Sequence, residues 1–199
     1  QNGAPFDLFM AADLSFPQRV IVEGLADADK PILYARGTLV LWTRNDSPFH
    51  QLSVDTLRDP ALKTLAIANP EHAPYGRAAE ASLKSLGLYD QLKPKFVIAE
   101  NIAQTAQFVD SGNAQAGLIS LTSALSERLR ASGHYIAMPR DSYPPLQQGA
   151  IVLKNSSNRT QAHQLLDFLL SPSVQKELAA RGLEPRRSPE HKGSPERKD

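Results

Sequence analysis

The chain contains no cysteine. Disulfides, thiol nucleophiles and thiolate metal sites are therefore excluded. Either redox compartment stays open, because an oxidising space does not require disulfides. No apolar run approaches the roughly 20 residues that span a bilayer. No secretory leader is visible. The sequence begins at Gln1 rather than Met and runs straight into a strand-like segment, so a processed or shortened N-terminus is expected. Charge of one sign is also lacking. The net charge of +1 offers no broad basic field for nucleic acid. Residues 186–199 hold five Lys and Arg against three Asp and Glu, which leaves the body at −1. Enzyme signatures are missing as well: there is no G-x-S-x-G elbow, no P-loop and no G-x-G-x-x-G. The five histidines show no metal-ligand spacing. Carboxylate pairs such as Asp27 and Asp29 sit in a polar loop with nothing to raise a pKa. Neither an enzyme nor a side-chain metal centre is expected, and no cofactor is implied.

What remains is an ordinary globular composition, 41% hydrophobic and 22% charged over 199 residues. That length suffices for one large domain or two small lobes. Segment 6–11 (FDLFMA) reads as a buried strand, 15–24 as a helix, and 39–43 (LVLWT) as a strong strand. A short helix or turn falls at 54–57. A strand–helix rhythm then sets in. Strands are read at 65–68, 96–99 and 116–121, and helices at 76–86, 101–109 and 122–131. Ala78, Ala79, Ser82, Leu83 and Leu86 fall on one face of the first of these helices. A short strand at 135–138 and another at 149–153 (GAIVL) precede helices at 160–170 and 173–181. Strands alternating with helices of about ten residues indicate parallel α/β architecture. Residues 186–199 contain Pro, Gly, Ser and charge but no apolar residue, and read as a disordered tail.

The most informative stretch is 64–86, TLAIANPEHAPYGRAAEASLKSL: a strand, a Pro-bounded loop, then a helix beginning near Tyr75 and Gly76. Such a junction leaves backbone N–H groups pointing out of a helix N-terminus, where an anion can sit. Similar junctions occur at 100–102 and 120–123, and in parallel sheets they gather at the carboxyl ends of the strands. Tyr75, Gly76, Ile102 and Ser120 offer only hydroxyls and backbone N–H. A site of this kind can hold a desolvated oxyanion without a cation. The residues alone leave the plainer readings open: a surface tyrosine at 75, first-turn packing at 102, and an empty junction at each corner. Arg77 reads as a counter-charge near the site or as a solvated cation on the helix surface, and Trp42 as core.

The motifs NPEHAPYGRAAEASLKSLGLYDQL, PKFVIAENIAQTAQFVDSGNAQAGLISLTSAL and GAPFDLFMAAD resemble the periplasmic molybdate-binding proteins of molybdate ABC transporters. The likeness spans roughly residues 1–185. It implies an α/β, type II periplasmic-binding-protein-like fold of two lobes with a cleft. Residues 1–40 with 149–185 would form lobe 1, incomplete, and 41–148 lobe 2, with 39–43 and 149–153 as the crossings. It implies a tetrahedral oxyanion, molybdate or tungstate, held by neutral donors. Tyr75 would give its hydroxyl and Ile102 its backbone N–H. Gly76 and Ser120 are further positions. Ser120 matches a place that holds a tyrosine in a different branch of that family. The implied partner is an ABC transporter permease, which makes membrane contact peripheral, and the implied location is the periplasm.

One departure is plain. Members of that family carry two further β-α units ahead of GAPxDLF, with the remaining donors on them. This sequence begins after both, so part of the first lobe and about half of the anion donors are expected to be lacking. The alternatives are a receptor for another oxyanion or small acid, a degenerate remnant that binds nothing, and a small α/β hydrolase, which the missing motifs disfavour.

Overall fold

Two buried, mainly apolar runs set the architecture: Leu39–Arg44 (β3) and Leu65–Ala68 (β4). Every residue of β4, and all of β3 but its last, is buried, as expected of strands covered on both faces. In the computed structural model, which describes residues 5–185, they lie inside a five-stranded sheet. With Phe96–Ala99 (β5), Ala116–Ser120 (β6) and Gly133–Ala137 (β7), the order is β5-β4-β6-β3-β7. A second, four-stranded sheet has the order β1-β8-β2-β9. It is built from Leu8–Ala11 (β1), Ile32–Gly37 (β2), Leu146–Val152 (β8) and Glu184–Pro185 (β9).

The parallel part is narrower than the strand–helix rhythm implies. Only β4 pairs in parallel, with β5 and β6. The strand β3 runs antiparallel to β6 and β7, and every pair in the four-stranded sheet is antiparallel. The two-lobed α/β architecture itself holds.

Helices cover the sheets by apolar faces at helical spacing. Pro74–Ser85 (α2) buries Tyr75, Gly76, Ala78, Ala79, Ser82 and Leu83 against the five-stranded sheet and the loop before β8. Burial of a leucine such as Leu83 contributes about 2 kcal/mol. Ile102–Asp110 (α4, after the short Tyr89–Leu92, α3) packs over β6. It comes so close at Gly117 that a Cβ there would lie 2.4 Å from Val109 Cγ1. Over the four-stranded sheet, Arg159–Leu169 (α7) and Pro172–Ala180 (α8) enclose a smaller core. Leu166 and Ala162 meet Tyr34, Ala150 and Val152 there. Ser15–Val22 (α1) follows β1.

Three local readings change. The helix expected over 122–131 is two short ones, Leu121–Ala124 (α5) and Glu127–Ser132 (α6), because Ser126 interrupts it and re-caps the chain by accepting from Leu129 N–H. The strand β2 was not expected. Its ILYARG sequence ends in a charge and a glycine, and tertiary pairing with β8 makes it a strand. The strand β8 starts three residues before GAIVL, because Gln147 and Gln148 are carried into the sheet by that pairing. The segments expected to cross between lobes each pair within one sheet. The chain passes between sheets beside them, at Thr38 and again over 138–145. The expected tail, 186–199, lies outside the described residues.

Candidate functional site

The register of the five-stranded sheet brings the three corners together. Ala68 lies opposite Ala99 in the parallel β4–β5 pair, β6 runs parallel to β4, and Leu39 at the start of β3 lies opposite Ser120 at the end of β6. The carboxyl ends of β5, β4 and β6 and the amino end of β3 therefore share one edge. That edge carries Ile102, Tyr75 and Ser120 in a row, ending at the Thr38 crossing.

Asn69 builds the Tyr75 corner. Its N–H donates to Ala99 O, its carbonyl accepts from His72 and Ala73, and its Oδ1 accepts from Glu71 N–H. Pro74 then starts α2 at a position where no N–H is needed, and no side chain caps the helix. The amides of Tyr75 and Gly76 are first-turn groups with no helical carbonyl behind them. Gly76 is fixed by packing: a Cβ there would lie 2.4 Å from Ala68 O and 2.7 Å from Asn69 O. The first turn of α2 thus sits directly on the end of β4.

The Tyr75 side chain is 5% exposed, and its hydroxyl has no hydrogen-bond partner among the described residues. It reaches across to the crossing, where a Cβ on Gly37 would fall 2.1 Å from its Oη. Glycine at 37 is what lets the phenol lie there. Burial, and then the neighbouring phenols of Tyr143 and Tyr34, push the Tyr75 pKa well above the ordinary value of 10. Tyr75 is therefore a neutral O–H donor. Tyr143 braces the same spot by accepting from Leu39 N–H at 3.1 Å.

Ile102 opens α4. Asn101 caps that helix by accepting from Gln104 N–H at 3.0 Å, and Gln104 Oε1 accepts from Glu100 N–H at 2.7 Å. The Ile102 amide is left as a first-turn donor, while its side chain packs between the two cores of the second lobe. Ser120 is placed differently. Its Oγ accepts from Ser123 N–H at 3.1 Å and lies 2.8 Å from Ser123 Oγ, so the hydroxyl is occupied as the cap of α5.

An ion pair and a hydrogen bond that sequence reasoning missed meet on Glu184 beside the crossings. Arg140, from the return segment, donates to Glu184 Oε2 of β9 at 2.6 Å, and Thr38 Oγ1 donates to Glu184 Oε1 at 2.9 Å. Arg140 and Glu184, with Arg36, Gly37 and Tyr143, line a small cavity at the crossing. Arg77 is not merely solvated, as one of its readings had it. Its guanidinium donates to Asp13 Oδ2 at 2.5 Å. No sequence signal marks that contact, because its partners are 64 residues apart. A broader, shallow depression lined by Asp27, Asp29, Lys154 and Arg159 lies on the first lobe and includes none of the corner residues. Asp27 there meets His163 Nε2 at 2.6 Å. Trp42 is fully buried, as its reading as core expects. Among the described residues, no group of three or more His, Cys, Asp or Glu could hold a metal ion, and no helix is long and apolar enough to cross a membrane.

Two α/β lobes joined by short crossings, with uncharged donors at the crossing edge of one lobe, are the architecture of a two-lobed solute-binding protein. The chain belongs to the bacterial extracellular solute-binding protein family, whose model matches residues 1–184. It is 37% identical over 182 residues to the molybdate-binding protein ModA of Azotobacter vinelandii, a match covering 92% of this chain and 72% of that protein. The ModA of Rhodobacter capsulatus is 35% identical over 173 residues, covering 87% and 67%. Among solved structures, the Azotobacter vinelandii periplasmic molybdate-binding protein superposes with a TM-score of 0.84 and 28% identity over the structural match, covering 94% of this chain and 81% of that one. The substrate-binding domain of a putative molybdenum ABC transporter from Clostridium difficile gives 0.76 at 27% identity, covering 93% and 79%.

Proposed function

We propose that this chain is a receptor for a tetrahedral oxyanion of the molybdate and tungstate class, delivering it in the periplasm to the permease of an ABC importer. The observation that carries the reading is the Tyr75 hydroxyl, which has no hydrogen-bond partner among the described residues and reaches the lobe crossing from a buried side chain on a helix start whose first amides have no helical carbonyl behind them. The names of two ModA relatives support the ligand class. Tyr75 Oη–H and the Ile102 N–H are the second-lobe donors, and Gly76 N–H is a further one. Ser120 serves the site as the cap that orders its corner.

The site works without proton transfer. The anion arrives charged, replaces its water with N–H and O–H groups that carry no formal charge, and the lobes close on it. Charge-assisted bonds of this kind are short and strong. Sulfate has the same charge and shape as molybdate, so discrimination falls to cavity size and hydrogen-bond reach. In the family resemblance the first-lobe donors sit on β-α units ahead of GAPFDLF. The donors named here are the second-lobe half of the clamp.

Calorimetric titration of the chain with molybdate, tungstate, sulfate and phosphate tests the reading. Saturable heat with molybdate and tungstate, and at least about tenfold weaker binding of sulfate, is expected; that factor corresponds to about 1.4 kcal/mol. Tighter binding of sulfate or phosphate would transfer the receptor to another oxyanion. Heat with none of them would remove the oxyanion reading.

A further inference from the structure

Arg77 stands in the first turn of α2, two residues after Tyr75. A cation there is disfavoured by the helix dipole, so the helix itself gives no reason for it. Its partner supplies one. Asp13 lies between β1 and α1 in the first lobe, and its carboxylate is divided between two tasks. Oδ1 accepts from Ser15 N–H at 2.9 Å, Ser15 Oγ at 2.8 Å and Phe16 N–H at 3.3 Å, which holds the start of α1. Oδ2 accepts from Arg77 across the two lobes. The Asp13 side chain is 18% exposed and that of Arg77 44%. Among the described residues, the remaining Arg and Lys ion pairs lie within one lobe or, as with Arg140 and Glu184, at the crossing itself.

We infer that the Asp13–Arg77 pair is a closure latch: a contact made when the lobes meet over the Tyr75 corner and lost when they part. The inference rests on the receptor reading for its role in binding, but the contact itself needs no ligand. A contact present only in the closed state shifts the open–closed equilibrium toward it. It therefore raises the affinity of any ligand that selects that state by the same factor. The effect falls on dissociation, because the latch forms after encounter. The pair has a second consequence. Asp13 neutralises the cation that shares the first turn of α2 with Tyr75, which leaves the corner to neutral donors. Arg77 is thus a positioning residue, not an anion contact.

Asp13→Asn and Arg77→Gln test this in the 199-residue chain. The asparagine variant keeps an amide oxygen for the α1 bonds, so folding is preserved while the ion pair is lost. The absence of native cysteine allows a specific spin-label pair at Gln18→Cys on α1 and Ser85→Cys on α2. In the ligand-free protein, both variants should reduce the short-distance population between the labels, and the double variant should reduce it no further. Unchanged distance distributions in both variants overturn the latch, whether or not molybdate binds. With molybdate, both single variants should bind about 2- to 5-fold more weakly, as expected for a partly exposed ion pair, and dissociate faster by a similar factor. Arg77→Lys should recover part of the loss. If Arg77 instead touched the anion, the two single variants would move affinity in opposite directions, Asp13→Asn tightening it and Arg77→Gln weakening it. That result would also overturn the latch. A wild-type chain that binds no molybdate refutes the receptor reading and leaves the distance measurement to decide the latch.

Discussion

The phenol of Tyr75 keeps its proton and leaves its hydrogen-bonding capacity unspent. Burial holds it neutral, Gly37 makes room for its oxygen at the crossing, and no described residue accepts its proton. A charged acceptor at that oxygen gains a hydrogen bond without breaking one inside the protein. Tyr75→Phe should weaken molybdate binding by about 10- to 100-fold, the worth of one hydrogen bond to a charged group at about 1.5–3 kcal/mol, while melting close to wild type. Calorimetry and thermal melts on the same preparation separate the two effects, and an unchanged affinity would remove Tyr75 from the site. Ser120 is the contrasting case, since its hydroxyl already serves α5. Ser120→Ala should cost about 1 kcal/mol of stability, a fall of about 2–4 °C in Tm, with little direct effect on affinity. A large affinity loss without a stability loss would make Ser120 a ligand.

Elements carry these side chains, and two of them have a weak point that can be probed. The first turn of α2 rests on β4 through Gly76, where a Cβ would meet backbone atoms that cannot move aside. Gly76→Ala should cost about 1–3 kcal/mol from overpacking and should shift Tyr75 as well. Its affinity loss should therefore exceed that of a Leu86→Ala control of equal Tm. The edge strand β9 is held by Glu184. Burial would raise that carboxyl, but Arg140 and Thr38 outweigh it and hold it below its ordinary 4.5. A depressed folded pKa means the contribution to stability is present above about pH 4.5 and disappears as pH falls through the lower folded value. Glu184→Gln should then melt below wild type at pH 7 and converge with it as the pH falls into the acid range below 4.5, as read by melting curves across that range. A deficit independent of pH would assign Glu184 a packing role alone. Much at this scale was readable beforehand. The Pro and Gly punctuation of NPEHAPYG and the apolar strands around it placed the corners at Tyr75 and Ile102 and the face of α2. Sheet membership was not readable, because a run such as LVLWT says that a strand is buried but not which strands flank it. The crossings, β2 and the Asp13–Arg77 contact all depend on partners distant in sequence.

At the scale of the whole molecule, the fold sets two sheets side by side, one of which carries the corners of Tyr75, Ile102 and Ser120 along one edge; on the proposed function the other lobe closes against them. The crossings at Thr38 and 138–145 are short and braced by Tyr143, Arg140 and Glu184. On the proposed function, the motion expected of such crossings is a change of angle between lobes, not a rearrangement within either one. A receptor of this design needs no reactive group, which accords with a site built from hydroxyl and amide donors. On the proposed function, selectivity would be a property of the closed cavity, so the most direct test uses competition between anions of equal charge. In a calorimetric titration of the chain with molybdate, run with and without equimolar sulfate, saturable one-to-one binding that sulfate barely shifts is the predicted result. No molybdate heat, or displacement by equimolar sulfate, would contradict it.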